Sequence, residues 1–475
     1  MSRAKADTVK AFAGIDDAAS ALRSGAISSV ELTGLMLDRI DLLDRHTRSY
    51  VHVCAERAIE QAKRCDRERA RGLYRGPLHG VPVAVKDLCN TTFAPTAAGT
   101  VAYAGFMAPR NAAVVDRLEE AGAIILGKLA MTEGAFSLHH PDIPAPVNPW
   151  NQDYWTGVSS SGSGVATAAG LCFGAIGSDT GGSIRFPCAA NNLSGIKPTW
   201  GRVSRRGTFA LAETLDHIGP MARSVIDCAA MLGVIAGFDP EDPTSLTAPV
   251  PDYLASCVDN LDGVRIGIDR DYAFATADPE VAAALEAAIE VFQDLGAQFV
   301  GVTVPPSADL AASWTELCGA EAALVHHDRF AERPDDFGRA LRFLLEGAAE
   351  TSPITIARGF QRRYEFSSAL KAMFDHVDAM LIPTMPMRIP TLEELAQRVP
   401  DMAWTGELLR FTAPFDFSGS PTVTLPNGVD TSGMPLSMQI AGPRMSEAML
   451  IKIAHAYQAR THWHLRHPML TGERA

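Results

Sequence analysis

Two serine-rich stretches hold the residues best suited to chemistry. Gly157-Val158-Ser159-Ser160-Ser161-Gly162-Ser163-Gly164 is followed, past a small-residue helix and a short strand, by Gly177-Ser178-Asp179-Thr180-Gly181-Gly182-Ser183-Ile184-Arg185-Phe186-Pro187. Consecutive glycines ahead of a serine let the backbone turn sharply and aim several N–H groups into one space. An oxyanion hole needs that geometry, with a nucleophile beside its donors. A serine hydroxyl is a weak nucleophile at neutral pH and requires an adjacent base. A lysine can serve if neutral, which means moving its pKa from about 10.4 to about 7.5, or about 4 kcal/mol at about 1.36 per unit. Burial at the end of an apolar strand supplies such a shift. Lys86, closing VPVAVK, and Lys128, closing AIILGK, both have that context. The residue types alone do not choose between them.

Other chemistries lack their residues. There is no H-E-x-x-H and no G-x-S-x-G, and Ser163 stands where a P-loop starting at Gly157 would need its lysine. His462-Trp463-His464 with His467 is a weak metal pattern, better read as a C-terminal segment docking on the body. His139-His140 and His326-His327 lie in polar surroundings and are expected to be exposed pairs, so no metal site is expected.

The surrounding elements alternate between the two classes. Ser28-x-x-Glu31 is a capping box opening a helix on which Val30, Leu32, Leu35, Leu37 and Ile40 recur near helical spacing. Val81–Lys86 and Ala123–Lys128 read as buried strands, with an amphipathic helix over Val114–Ala121 between them. A run of Pro, Asp and Thr from 237 to 251 marks a boundary. Beyond it come a strand at Val264–Ile268, a helix at Pro279–Leu295, a strand at Gln298–Val304, helices over 306–375, and strands at Ala379–Ile382 and Pro421–Leu425. No internal repeat is present.

Composition limits the function further. A hydrophobic fraction of 47% with 20% charged residues suits a large buried core. A net charge of −13 argues against nucleic acid as a partner. No stretch approaches the roughly 18 apolar residues of a membrane span. The N-terminus lacks the apolar core of a secretory signal, and eight scattered cysteines without C-x-x-C suit reduced thiols, so a cytoplasmic protein is expected.

The stretch from Gly157 to Cys188, G-V-S-S-S-G through D-T-G-G-S-I-R-F-P, resembles the amidase signature family. The resemblance extends through LHGVPVAVKD (78–87), AGAIILGKLAMTE (121–133), NPW (148–150), GIKPTWGRVSRRG (195–207), LIPTMP (381–386) and FTAPFDFSGSPTVTLP (411–426). It implies an α/β fold: a single large domain with a central mixed β-sheet covered on both faces by helices. Within it we expect an N-terminal helical segment (1–75), the signature core (76–240), a variable insert with substrate-pocket helices (241–380) and a C-terminal return to the sheet (381–475).

The resemblance also implies a Ser–cis-Ser–Lys triad. Ser183 maps to the nucleophile, Ser159 to the bridging serine after a cis peptide, and Lys86 to the base, leaving Lys128 structural or pocket-lining. Backbone N–H groups of Thr180, Gly181, Gly182 and Ser183 would hold the oxyanion, with Ser160 buttressing the relay and an Asp179–Arg185 ion pair holding the loop. The pocket is expected to draw on Met131, Phe136, Trp155 and, from the insert, Trp314, Phe330, Phe337 and Phe360. Val158, Ser161 and the Tyr154-Trp155-Thr156 lead-in depart from the commoner family pattern. No cofactor is implied, and homodimers are common among relatives.

The resemblance leads first to a hydrolase cleaving a small organic amide, such as an anilide or aryl amide, or a related carbamate, with urethanase or esterase side activity. Second is the glutamine-hydrolysing component of a tRNA-dependent amidotransferase. That component usually carries Asp before its F-T motif, where Leu409 stands here, and has Gln, Tyr and Tyr in place of Phe186, Trp200 and Arg206.

Overall fold

The structure, a computed structural model, describes residues 11–307, 309–398 and 402–470. Among these residues eleven strands form one mixed sheet: β1 (Tyr50–Val53), β2 (Pro82–Lys86), β3 (Ile124–Leu129), β4 (Gly174–Asp179), β5 (Ser194–Lys197), β6 (His217–Ala222), β7 (Arg265–Ile268), β8 (Gln298–Gly301), β9 (Ala379–Pro383), β10 (Thr422–Val429) and β11 (Pro435–Ala441). Their order is β1-β3-β2-β4-β6-β5-β10-β11-β9-β7-β8. Helices cover both faces, the α/β architecture expected. Among the described residues no helix is long and apolar enough to cross a membrane.

The middle strands are apolar on both faces because both faces are roofed. Val83, Ala84, Val85, Ile124, Ile125 and Leu126 are all fully buried, the continuous pattern of parallel strands inside a helical coat. The expected capping box is present: Ser28 Oγ accepts from Glu31 N–H, and Glu31 Oε2 accepts from Ser28 N–H, starting the helix Ser29–Thr47. The strands expected at 81–86, 123–128, 264–268, 298–304, 379–382 and 421–425 all appear, shifted by a few residues at their ends. Strands β1, β5, β6 and β11 and the helix Glu447–Arg460 have no counterpart among the elements expected from the sequence.

The topology sets where chemistry can sit. β3, β2 and β4 run parallel, with β3 on one side of β2 and β4 on the other. The chain therefore switches sides of β2 between successive strands. A crevice opens at the carboxyl ends of strands flanking such a switch point. Lys86 and Asp179 are the last residues of β2 and β4, and the loop leaving β4 carries Thr180 to Ser183.

Candidate active site

Lys86 is fully buried, and its Nζ lies in a cage of three hydroxyls: Ser159 Oγ at 2.6 Å, Ser178 Oγ at 2.8 Å and Ser160 Oγ at 2.9 Å. Among the described residues no carboxylate pairs with it. Burial drives its pKa down to about 7, against the opposing pull of the Asp216 and Asp179 charges. Ser160 Oγ also donates to Ser178 O and accepts from Ser178 N–H, both at 3.2 Å, so its one proton is engaged and it faces Lys86 as an acceptor.

Lys128, the other lysine with strand-end context, is held differently. Its Nζ donates to Asp87 Oδ1 at 2.9 Å, Thr96 Oγ1 at 2.8 Å and Pro95 O at 3.0 Å. It meets none of the signature serines.

The loop from Asp179 to Arg185 is pinned almost group by group. The Asp179 carboxylate accepts from Gly182 N–H at 2.7 Å and Ile184 N–H at 3.0 Å, and grips Arg185 through Nε at 3.0 Å and Nη2 at 2.8 Å. Burial pushes this carboxyl's pKa up, but Arg185 outweighs it and holds the group ionised well below the usual range. Arg185 Nη2 also meets Asp416 at 2.6 Å, and Nη1 donates to Thr412 O at 2.9 Å. Thr180 Oγ1 donates to Asp216 at 2.6 Å; Trp314 Nε1 donates to Thr180 O at 2.7 Å; Thr412 Oγ1 donates to Gly181 O at 2.6 Å.

That leaves three backbone donors of the loop with no protein acceptor among the described residues: the N–H groups of Thr180, Gly181 and Ser183. The expected set included Gly182, whose N–H is instead taken by Asp179. Gly182 has φ +134°, and a Cβ there would sit 2.3 Å from Phe186 Cε2, so glycine is required on both counts.

The Val158–Ser159 peptide is cis. The two serine loops meet where Ser160 N–H donates to Ser183 O at 3.4 Å. Ser183 is 7% exposed whereas Ser159 and Ser160 are fully buried, so Ser183 is the most accessible of the three. Its hydroxyl has no protein partner among the described residues, and the bond that would link Ser159 to Ser183 is not closed in this structure.

The residues expected to line a pocket divide. Trp314 reaches the loop directly. Met131 is buried and lines a cavity of about 600 Å³ with Tyr50, His52, Asp87 and Gly99. Trp155 is buried against Phe186, ring centroids 5.8 Å apart, and packs the loop. Phe136 and Phe360 are partly buried against the core. Phe330 and Phe337 join His326, Tyr103 and Phe209 in an aromatic wall, with centroids 5.0 to 5.8 Å apart.

Neither histidine pair is exposed as expected. His326 is fully buried on the inward face of the helix Leu310–Glu332, and His140 is buried too, leaving His327 as the solvated member. Polar neighbours in sequence conceal the inward helical face. His467 stacks on Phe12 at 4.1 Å. Ser178 and Thr412 join the site without any expectation from the sequence. Ser178 sits one residue before Asp179 on β4, beside the end of β2, and strand pairing is the signal that places it there.

A sequence profile described as Amidase matches residues 31–451. The chain is 43% identical to AmiD, a putative amidase of Mycobacterium tuberculosis (strain ATCC 25618 / H37Rv), covering 96% of this chain and 95% of that protein. It is 36% identical to a component of the glutamyl-tRNA(Gln) amidotransferase of Chloroflexus aggregans, over 96% of this chain and 98% of that one. Its fold is similar to that of the native peptide amidase from Stenotrophomonas maltophilia, with a TM-score of 0.81 at 30% identity over 96% and 98% of the two chains.

Proposed function

The chain belongs to the amidase family of C–N hydrolases, and from that premise we propose that it is a serine amidohydrolase acting on a small organic amide, an anilide or aryl amide or a related carbamate. The observation that carries the reading is Lys86: a buried lysine caged by serine hydroxyls, without a counter-charge, beside a loop offering three unused N–H donors.

A neutral Lys86 has one lone pair and two N–H bonds. With Ser160 committed as an acceptor, Ser159 is the nearest hydroxyl able to give its proton to that lone pair. Substrate in the crevice brings Ser183 and Ser159 into hydrogen-bond reach, a contact that commonly tightens only in the complex. Ser183 Oγ attacks the carbonyl carbon as its proton passes to Ser159 and that of Ser159 to Lys86. The oxyanion meets the N–H groups of Thr180, Gly181 and Ser183. The tetrahedral adduct collapses, breaking the C–N bond, and the relayed proton leaves with the nitrogen, which departs as a neutral amine. Water then attacks the acyl-Ser183 ester, giving up a proton through the same relay, and releases the acid. One amide and one water give one acid and one amine.

Among the relatives are a peptide amidase, which suits the first reading, and a component of a glutamyl-tRNA(Gln) amidotransferase, which suits the second. Leu409 weighs against the second. It is buried and puts an apolar side chain on a cavity of about 520 Å³ that Glu407 and Arg410 also line, so position 409 itself offers no carboxylate to an amino-acid ammonium.

The test is amine or ammonia release from aliphatic amides, anilides, aryl carbamates, esters, a peptide amide and glutamine, comparing wild type with Ser183→Ala. Cleavage of one amide or carbamate class that vanishes in Ser183→Ala is the expected result. Turnover surviving in that variant overturns the assignment of Ser183; activity confined to glutamine replaces this reading with the amidotransferase one.

A further inference from the structure

We propose that Trp314 and Thr412 are positioning residues for the oxyanion loop: Trp314 aims the Gly181 donor by holding the opposite end of its peptide plane, and Thr412 anchors the plane that follows. The inference rests on the reading of Ser183 as nucleophile and goes beyond it to two residues distant in sequence.

A trans peptide is planar, and its C=O and N–H point in opposite directions. The Thr180–Gly181 peptide presents its C=O to Trp314 Nε1–H at 2.7 Å, which turns Gly181 N–H to the far side, where it has no protein acceptor among the described residues. The next plane presents Gly181 C=O to Thr412 Oγ1–H at 2.6 Å, and its N–H, that of Gly182, is held by Asp179 at 2.7 Å. One plane thus leaves a donor free and the next anchors the turn. Packing reinforces the first contact: a Cβ on Gly181 would lie 2.7 Å from Trp314 Cζ2, so the indole lies flush on the bare glycine.

Both clamps come from outside the signature stretch. Trp314 is on the helix Leu310–Glu332, and Thr412 sits in the C-terminal segment that Arg185 Nη1 and Gln439 Nε2 secure through the carbonyls of Thr412 and Phe411. A buried carbonyl that loses its donor seeks another partner, so losing the Trp314 donor frees the first plane to rotate, and losing the Thr412 hydroxyl leaves the second held at its Asp179 end alone. Misaimed donors cost more in the transition state than in the substrate complex, because only the former carries the oxyanion.

The experiment uses the full chain with a p-nitroanilide and a p-nitrophenyl ester as probes. It compares Trp314→Phe, which keeps a ring and loses the donor, with Thr412→Val, which keeps shape and loses the hydroxyl, and Thr412→Ser, which restores it. Each of the first two should lower kcat about tenfold to a hundredfold with KM changed less than about threefold. Phenylboronic acid, which forms a tetrahedral adduct on the serine, should lose affinity in parallel, while Thr412→Ser keeps at least about half of wild-type kcat.

A kcat within about twofold of wild type in both Trp314→Phe and Thr412→Val overturns the inference, as does a fall confined to KM. If Trp314→Phe does not fold, the Thr412→Val and Thr412→Ser pair decides. Ser183→Ala is the control that separates the two readings. Turnover surviving there removes the nucleophile assignment, whereas its loss beside fully active clamp variants removes only this inference.

Discussion

Lys86 and Lys128 stand at the ends of neighbouring parallel strands, yet only Lys128 meets a carboxylate, that of Asp87 at 2.9 Å. Lys128 has the partner a buried ammonium requires, and Lys86 has neutral hydroxyls in its place. Two residues with the same sequence context thereby separate into a structural ion pair and a candidate base.

The first prediction concerns pH. With Lys86 reactive as the free amine and its pKa pushed down to about 7 by burial, kcat/KM should rise with pH through about 7 and then level off. Lys86→Arg, which stays charged, should lose at least about a thousandfold at every pH. The same shift has a signature in stability. The folded pKa lies below the unfolded one, so between them the unfolded chain binds the extra proton and stability rises with pH. Relative to Lys86→Met, wild type should therefore gain about 2 to 3 kcal/mol from about pH 7 to about pH 9, at about 1.36 per unit, measured by urea unfolding. A pH-independent difference would count against the assigned shift.

Ser178 supplies a second. Its hydroxyl, 2.8 Å from Lys86 Nζ, accepts more strongly from an ammonium than from an amine. Ser178→Ala should lower the apparent pKa of the acid limb and reduce the plateau rate about tenfold through looser positioning of Lys86. A pH–rate profile reads both. An acid limb that moves upward would mean that the hydroxyl favours the neutral form.

How far the sequence reaches is visible in these residues. β2 and β3 are legible because parallel strands buried on both faces must be apolar at every position, and Val81–Lys86 and Ala123–Lys128 come close to that, with the lysine at the end of each run. β5 and β6 are not, since SGIK and HIGPMA carry glycine and, in β6, Pro220, the residues that ordinarily interrupt strands. The serines and Lys86 are legible through a motif in which chemistry and spacing coincide. Trp314 is expected from the sequence only as a pocket aromatic; its bond to Thr180 spans a sequence separation of 134 residues, and nothing local in the helix marks that contact. Ser178 is hidden for another reason: just after a glycine and before a glycine-rich loop it reads as turn material, and its role exists only once β4 lies next to β2.

Arg185 meets two buried carboxyls, Asp179 at 2.8 Å and Asp416 at 2.6 Å; it holds Asp179 ionised, whereas burial, with the Asp179 charge beside it, pushes the Asp416 pKa well up. Arg185→Met should destabilise the protein by about 3 to 5 kcal/mol, because the fully buried Asp179 carboxylate loses its counter-charge. In the variant the folded pKa of Asp179 rises above the unfolded one, a contribution that falls away as pH increases. The deficit should therefore be largest near neutral pH and shrink toward about pH 4, as thermal unfolding across pH would show. A deficit that instead grows on acidification would contradict this role of Arg185.

Gly182 tests the loop at its tightest point. An alanine there must tolerate φ +134° and place Cβ 2.3 Å from Phe186 Cε2, while Phe186 is itself backed by Trp155. Trp155 backs the ring and the Gly182 N–H bond to Asp179 holds the backbone, so a backbone that yields strains that bond and the aim of the neighbouring Thr180, Gly181 and Ser183 donors. Gly182→Ala should lower kcat at least about a thousandfold and abolish fluorophosphonate labelling of Ser183, with far-ultraviolet circular dichroism unchanged. Adding Phe186→Ala removes the clash but not the disfavoured φ, so the double variant should recover less than about a tenth of wild-type activity. Full recovery in the double variant would show that side-chain crowding alone, and not backbone conformation, demands glycine at 182.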